Sequence, residues 1–238
     1  MASRPITEHA PCFFEHNPAL TLWRRSVAEG VGTLLLMVAV TGAAITGQRL
    51  SGGNHELGLL VSALVGSGSL VGLILAFGSV SGGHFNPLIT VLQWLAGDRT
   101  PRCTIAYLLA QIVGASLGAV LANNLFEQPA CEALIVLAPS RWVISEIVAS
   151  CGLLIIVLGC SRSGNSLTGP FGVGAWLMAA IIATPSASYA NPAITIAALF
   201  SAGPVAVTNH TAALYIPAQI AGALLAYLII LITYPRTR

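Results

Sequence analysis

Gly82-Gly83-His84-Phe85-Asn86-Pro87-Leu88-Ile89-Thr90 sets a polar asparagine and a helix-breaking proline inside an apolar stretch, and Ser188-Tyr189-Ala190-Asn191-Pro192-Ala193-Ile194-Thr195 does so again. Asparagine is a strong N-cap and proline is favoured at the first helical position, so each Asn-Pro reads as a helix start. Working outward from either copy, the same landmarks come in the same order. Glu29 precedes the first copy and Glu146 the second; Tyr107, Gln111 and Ala115 follow the first, Tyr215, Gln219 and Ala223 the second. Matching positions lie 105 to 117 residues apart. An ordered set of this kind marks an internal duplication of a membrane unit.

Composition points the same way. Hydrophobic residues make up 55% of the chain and charged ones 8%, against roughly 25% charged in soluble domains. Such a chain presents apolar surface to a lipid bilayer. All ten basic residues are arginine and the net charge is +2, too small a balance for a nucleic-acid partner. Cys12, Cys103, Cys131, Cys151 and Cys160 form no Cys-x-x-Cys and mostly lie in or beside apolar runs. They read as buried thiols, with no metal site and no cofactor implied.

Six apolar runs, at about 26–47, 57–80, 104–125, 141–160, 168–184 and 211–234, approach or exceed the roughly 20 residues of helix that cross a bilayer core. The fifth is the shortest. The expected organisation is a tail at 1–23 and a channel-like domain at 24–234, with repeats at about 24–125 and 141–234. A cytoplasmic tail places Arg4, Arg24, Arg25, Arg99, Arg102, Arg162, Arg236 and Arg238 inside and only Arg49 and Arg141 outside, as the positive-inside rule asks. Both termini are then cytoplasmic in a cell membrane. Three spans per repeat, an odd number, force the two repeats to run in opposite directions.

The apolar stretches after the Asn-Pro turns, about 87–96 and 192–200, are too short to span and read as half-helices. Irregular backbone before them, at 81–83 and 185–188, is tolerated at membrane depth only when buried in protein or lining a polar cavity. Inverted half-helices meet with their N-termini at the midplane, around a water-accessible path.

The chain here resembles the major intrinsic proteins, which include aquaporins and glycerol facilitators. The residues that carry the resemblance are Ala28-Glu29-Gly30-Val31-Gly32-Thr33, Ser81-Gly82-Gly83-His84-Phe85-Asn86-Pro87, Ala110-Gln111 with Gly114-Ala115, and Asn191-Pro192-Ala193. It implies an all-α, aquaporin-like membrane fold of six transmembrane helices and two re-entrant half-helices. It also implies a homotetramer with one pore per subunit, passing water or small neutral solutes without ions. Asn86, Pro87, Leu88, Asn191, Pro192 and Ala193 are the expected midplane elements of that pore. Each asparagine can donate from its carboxamide to a passing oxygen while its carbonyl holds the cap; the bland alternative is a cap and nothing more. Converging helix N-termini oppose cations.

Glu29 and Glu146 look like the family's buried glutamates, which order the re-entrant loops; a proton relay is the competing role for an intramembrane acid. Gln111 and Gln219, with Gly114 and Gly222 nearby, suit close helix contact and interhelical hydrogen bonds. His84 reads as a hydrogen-bond partner within its loop, since no second metal-ligating residue stands at ligand spacing.

The departures from the family pattern bear on selectivity. Water and glycerol channels generally carry arginine three residues after the second asparagine, where this chain has Ile194. Counting to the other constriction positions gives Gly66, Ala179 and Ser188, so the expected outer mouth is wide, uncharged and lined by small groups. Leu214 leans towards solute conduction, while Thr195 departs from the aspartate of glycerol facilitators. Glycerol-like polyols, urea and hydroxylated metalloids such as arsenous acid are the expected permeants, with water. A secondary transporter built on inverted repeats and a non-conducting structural member of the same fold are the alternatives. Nothing in the sequence pairs a nucleophile with a base, so no enzyme is expected.

Overall fold

A computed structural model describes residues 20–128, 139–162 and 168–234. Cys12, Cys131, most of the N-terminal tail, Arg236 and Arg238 lie outside the described residues. The chain there is helical: α1 (Leu22–Leu50), α2 (His55–Ser81), α3 (Pro87–Leu95), α4 (Pro101–Leu125), α5 (Ser140–Arg162), α6 (Gly169–Ala183), α7 (Pro192–Ala197) and α8 (Asn209–Thr233). Five of these are long and apolar enough to cross a membrane, and α6 is a shorter apolar helix.

The helix starts are set by polar residues just upstream of the apolar runs. Asn54, Thr100 and Thr208 each accept a hydrogen bond from a backbone N–H three residues on, which satisfies one of the orphan donors of a first turn. At its other end α2 stops at Gly82, whose φ of 94° is readily reached only without a Cβ. Asn86 and Asn191 are extended, with φ of −151° and −157°, and Pro87 and Pro192 open α3 and α7. α7 is shorter than the sequence leads one to expect: after Ala197 it tightens into a 3₁₀ turn at 198–200.

α1 packs on α2 and α4, and α5 packs on α6 and α8, giving two half-bundles joined chiefly through α2 and α6. Gly114 sits on the Gly30 backbone and Gly222 on the Ile147 carbonyl, with no room for a Cβ at either place; small residues let these helices approach to backbone contact. Each half-helix also reaches into the other half, α3 against α8 and α7 against α4. The outer surface is apolar, with Leu109, Val113, Leu117, Leu224 and Leu228 all exposed. An apolar exterior around a polar interior is what lipid as solvent demands.

Candidate functional site: a cavity between two re-entrant turns

Each re-entrant turn is hung on one glutamate. Glu29 is fully buried, and its Oε1 accepts from Ser81 Oγ at 2.6 Å and His84 N at 3.0 Å. Its Oε2 accepts from Phe85 N at 2.8 Å and Gln111 Nε2 at 2.7 Å. Glu146, also fully buried, takes Ser186 Oγ at 2.6 Å and Tyr189 N at 3.0 Å on Oε1. Its Oε2 takes Ala190 N at 2.9 Å and Gln219 Nε2 at 2.7 Å. A carboxylate with two donors on each oxygen is held by charge-assisted bonds. Gln111 and Gln219 go on to donate to Thr90 and Thr195. Those threonines donate to the carbonyls of Asn86 and Asn191.

The two asparagines lie side by side. Asn86 Oδ1 accepts from Leu88 N at 2.9 Å, and Asn191 Oδ1 accepts from Ala193 N at 3.0 Å, so both carbonyls hold caps. Their amides cross over: Asn86 Nδ2 donates to Ala190 O at 2.9 Å and Asn191 Nδ2 donates to Phe85 O at 2.8 Å. Of the two N–H groups on each amide, one is thus committed to the opposite turn and one remains to be offered. Phe85 and Ala190, the accepting residues, have φ of 47° and 44°, a left-handed conformation that ordinary residues rarely adopt. The donors converging on the two glutamates and on the two asparagine side-chain carbonyls over-determine these turns, which is what such strain requires.

Between the half-bundles runs a cavity of about 170 Å³. Both asparagines border it, together with Leu36, Val40 and Ala44 of α1, His55, Leu59, Ser62, Leu70 and Ile74 of α2, Leu153 and Val157 of α5, and Val173, Leu177 and Ile181 of α6. Residues 83–86 and 187–191, Ile89, Ile194, Pro204 and Val205 complete the wall. None of these bordering residues is Arg, Asp or Glu.

Of the four constriction positions counted from sequence, Ser188 and Ile194 border the cavity, each 5% exposed. Gly66 is buried on the same face of α2, and a Cβ there would meet Val40 and Ile181 at ordinary contact distance. Ala179 is misplaced: it is exposed on the outward face of α6. The inward residues of α6 are Val173, Leu177 and Ile181, spaced by four as one stripe of a 3.6-residue helix. The return to Asn191 folds tightly at Thr184–Ala187, where Ala187 N donates to Thr184 O at 3.0 Å, so the inward residue of the last turn comes closer to Asn191 than counted. Pro87, Leu88, Pro192 and Ala193 do not border the cavity; they are buried in the first turns of α3 and α7.

His84 Nδ1 is hydrogen-bonded to Thr90 Oγ1 at 2.9 Å. Arg99, expected on the cytoplasmic side, is 4% exposed and braces the first turn. It donates to Gln93 Oε1 at 2.9 Å, Tyr107 OH at 3.2 Å and Ser81 O at 3.1 Å. Its guanidinium also lies over the Tyr107 ring. The residues that sequence reasoning missed are therefore Ile181, Val40 and Arg99, and with them Tyr189, whose phenol donates to Val205 O at 2.7 Å.

Residues 17–184 match the family model for the major intrinsic proteins, a stretch that includes the first Asn-Pro turn and ends before the second. Aquaglyceroporin AqpS of Rhizobium meliloti (strain 1021) is 36% identical over 182 residues, covering 76% of this chain and 77% of that protein. Aquaporin NIP6-1 of Arabidopsis thaliana is 31% identical over 221 residues, covering 87% and 68%. The X-ray structure of the aquaglyceroporin from Plasmodium falciparum has the same fold, with a TM-score of 0.72 at 18% identity over 90% of this chain and 98% of that one.

Proposed function

The chain belongs to the major intrinsic protein family and is a multi-pass membrane channel for water or small solutes, and within that family we propose that it is a passive pore for small neutral solutes. The permeants are glycerol-like polyols, urea or hydroxylated metalloids such as arsenous acid, and water. The observation that carries this reading is the wall around Ile194. Val40, Ile181, Ser188 and Ile194 border the cavity, Gly66 lies against Val40 and Ile181, and none of the five carries a charge. An ion entering an aliphatic ring gives up hydration and receives nothing in return. A neutral solute can exchange its water for the free amide hydrogens of Asn86 and Asn191 and for backbone carbonyls of the turns. Ile181 makes this level narrower and more apolar than the all-small set read from sequence.

The bonding of the glutamates supports scaffolding over proton relay. All four carboxylate oxygens accept two hydrogen bonds each, and a relay needs an oxygen that can take up and release a proton. The proposed assembly is a homotetramer with both termini cytoplasmic, supported by the arginine distribution and the family's habit. Its two repeats are about 24–125 and 141–234.

Stopped-flow measurements on proteoliposomes, comparing water, glycerol, urea and arsenous acid with proton leak on the same vesicles, test the reading. Flux linear in gradient, with glycerol and urea passing and protons excluded, is the expected result. Saturable, gradient-coupled uptake favours a transporter, and water flux alone removes the proposed solute class.

A further inference from the structure

His84 and Tyr189 occupy the same place in the two repeats, and their backbone N–H groups donate to Glu29 and Glu146 at the same 3.0 Å. Their side chains go different ways. The His84 ring turns back to Thr90 on its own half-helix. Thr195, the counterpart of Thr90, keeps the matching bonds to Asn191 O and Gln219, as Thr90 does to Asn86 O and Gln111, while the Tyr189 phenol reaches past α7 to Val205 O, sixteen residues on.

Val205 belongs to a short strap, residues 203–205, that follows Gly203 in a left-handed conformation with φ of 69°. Pro204 and Val205 border the cavity at the end where His55 also stands. The chain just before the strap is well held: Asn123 bonds Phe200 O and Ala202 N, and Thr41 bonds Ser201. Over 203–205, among the described residues, the side-chain bond received is the one from Tyr189. The tyrosine ring is steadied by Tyr215, 5.5 Å away between centroids. Tyr189 also follows Ser188 in the chain, so one residue links the wall beside Ile194 to the strap across the cavity mouth.

We propose that Tyr189 is a specificity-determining positioning residue: its hydroxyl fixes the 203–205 strap and thereby sets the largest solute admitted at this mouth. The inference rests on the neutral-solute reading above. Backbone bonds from Ala206 N to Gly203 O and from Val207 N to Ala198 O close the strap on itself and on the end of α7, so the Tyr189 phenol is the side-chain bond that ties it to the second re-entrant turn. Losing one neutral hydrogen bond is a modest change, sufficient to widen the strap's excursions without unfolding the bundle.

The test uses the full chain in proteoliposomes with Tyr189→Phe, which keeps the ring against Tyr215, and separately Pro204→Gly, which loosens the strap without touching the tyrosine. Fluxes of glycerol, erythritol and xylitol are compared, and amide hydrogen exchange is followed over 203–207 and over 85–95. In both variants the xylitol-to-glycerol ratio is expected to rise about threefold to tenfold, the range one neutral hydrogen bond controls. Glycerol and water fluxes should change less than the xylitol flux, and exchange should quicken over 203–207 only. A merely structural role for Tyr189 would speed exchange in both segments and lower every flux together, overturning the proposal. An unchanged ratio with a freed strap overturns it as well, as does unchanged exchange in Tyr189→Phe. Should Tyr189→Phe not fold, an unchanged ratio in Pro204→Gly alone has the same force. Wild-type vesicles that pass no polyol refute the neutral-solute reading instead.

Discussion

The two halves build one carboxylate-centred network twice, and then differ in the side chains that support each turn from outside it. Glu29 and Glu146 hold the same four kinds of donor at distances that agree within 0.1 Å. Beyond that, the first turn is braced by the buried guanidinium of Arg99, while the second is tied outward by Tyr189 to a strap over the cavity mouth. What is duplicated is the means of holding irregular backbone where lipid offers no hydrogen bonds. What has diverged is the outside support of each turn: a buried guanidinium away from the cavity wall in the first, and a bond to a segment bordering the cavity in the second.

The strongest way to break the comparison is to remove the shared acid. Glu29→Leu strands two backbone donors, a hydroxyl and an amide in the interior, each costing about 1–3 kcal/mol, and Glu146→Leu strands the same set. Both variants are expected to lose all folded protein, judged by size-exclusion profile and thermal unfolding in detergent. Tolerance of one and not the other would show that the halves are not energetically equivalent.

A smaller effect is expected at the asparagines. Asn86→Asp and Asn191→Asp keep a capping oxygen, yet each sets a carboxylate oxygen against the opposite turn's carbonyl and places negative charge at the helix N-termini. Glycerol flux should fall about tenfold in each, a barrier change of about 1.4 kcal/mol. Wild-type flux and charge exclusion in either folded variant would remove that asparagine from the conducting path.

Ile194→Arg sharpens the comparison at the second turn alone. A guanidinium beside Ile181 and Ser188 narrows the wall and adds fixed charge, so urea and glycerol fluxes should fall about threefold further than water flux, with any cation leak reduced. Proportional losses would place the narrowest point at Asn86 and Asn191. The smallest effect belongs to Arg99→Met. Tyr107 OH also donates to Ser81 O at 2.9 Å, so the first turn keeps one brace and stability should drop by about 1 kcal/mol with flux per folded channel unchanged. Altered solute selectivity in this variant would mean that the brace reaches the pore.

The fold was legible because its signals are local. Apolar runs, capping residues and the repeated Asn-Pro mark six helices and two half-helices before any contact is known, and the order Glu, Asn-Pro, Gln supplies the repeat. Ala179 was misread for the opposite reason. Counting backwards from Asn191 fixes a loop length that only the turn at 184–187 decides, and a shift of two residues on a helix swaps an inward position for an outward one. Arg99 reads from sequence only as one of the inner-side arginines, because nothing nearby reveals that Ser81 and Tyr107 will enclose it. Tyr189 carried no signal at all, its partner being a backbone carbonyl sixteen residues away.

The crossed amide bonds, Asn86 to Ala190 and Asn191 to Phe85, bear on how the polypeptide is made. When the ribosome has delivered only the first repeat, the Phe85 carbonyl still lacks the donor that will close it, and α3 lacks the wall that α8 will provide. Water must therefore stay at the first turn until the second repeat arrives. The first three spans can enter the bilayer one after another, but the turn between the second and third can lose its water only near the end of synthesis. Translation order thus makes the second repeat the clamp that finishes the first, and a chain truncated before Asn191 leaves the Phe85 carbonyl without its donor.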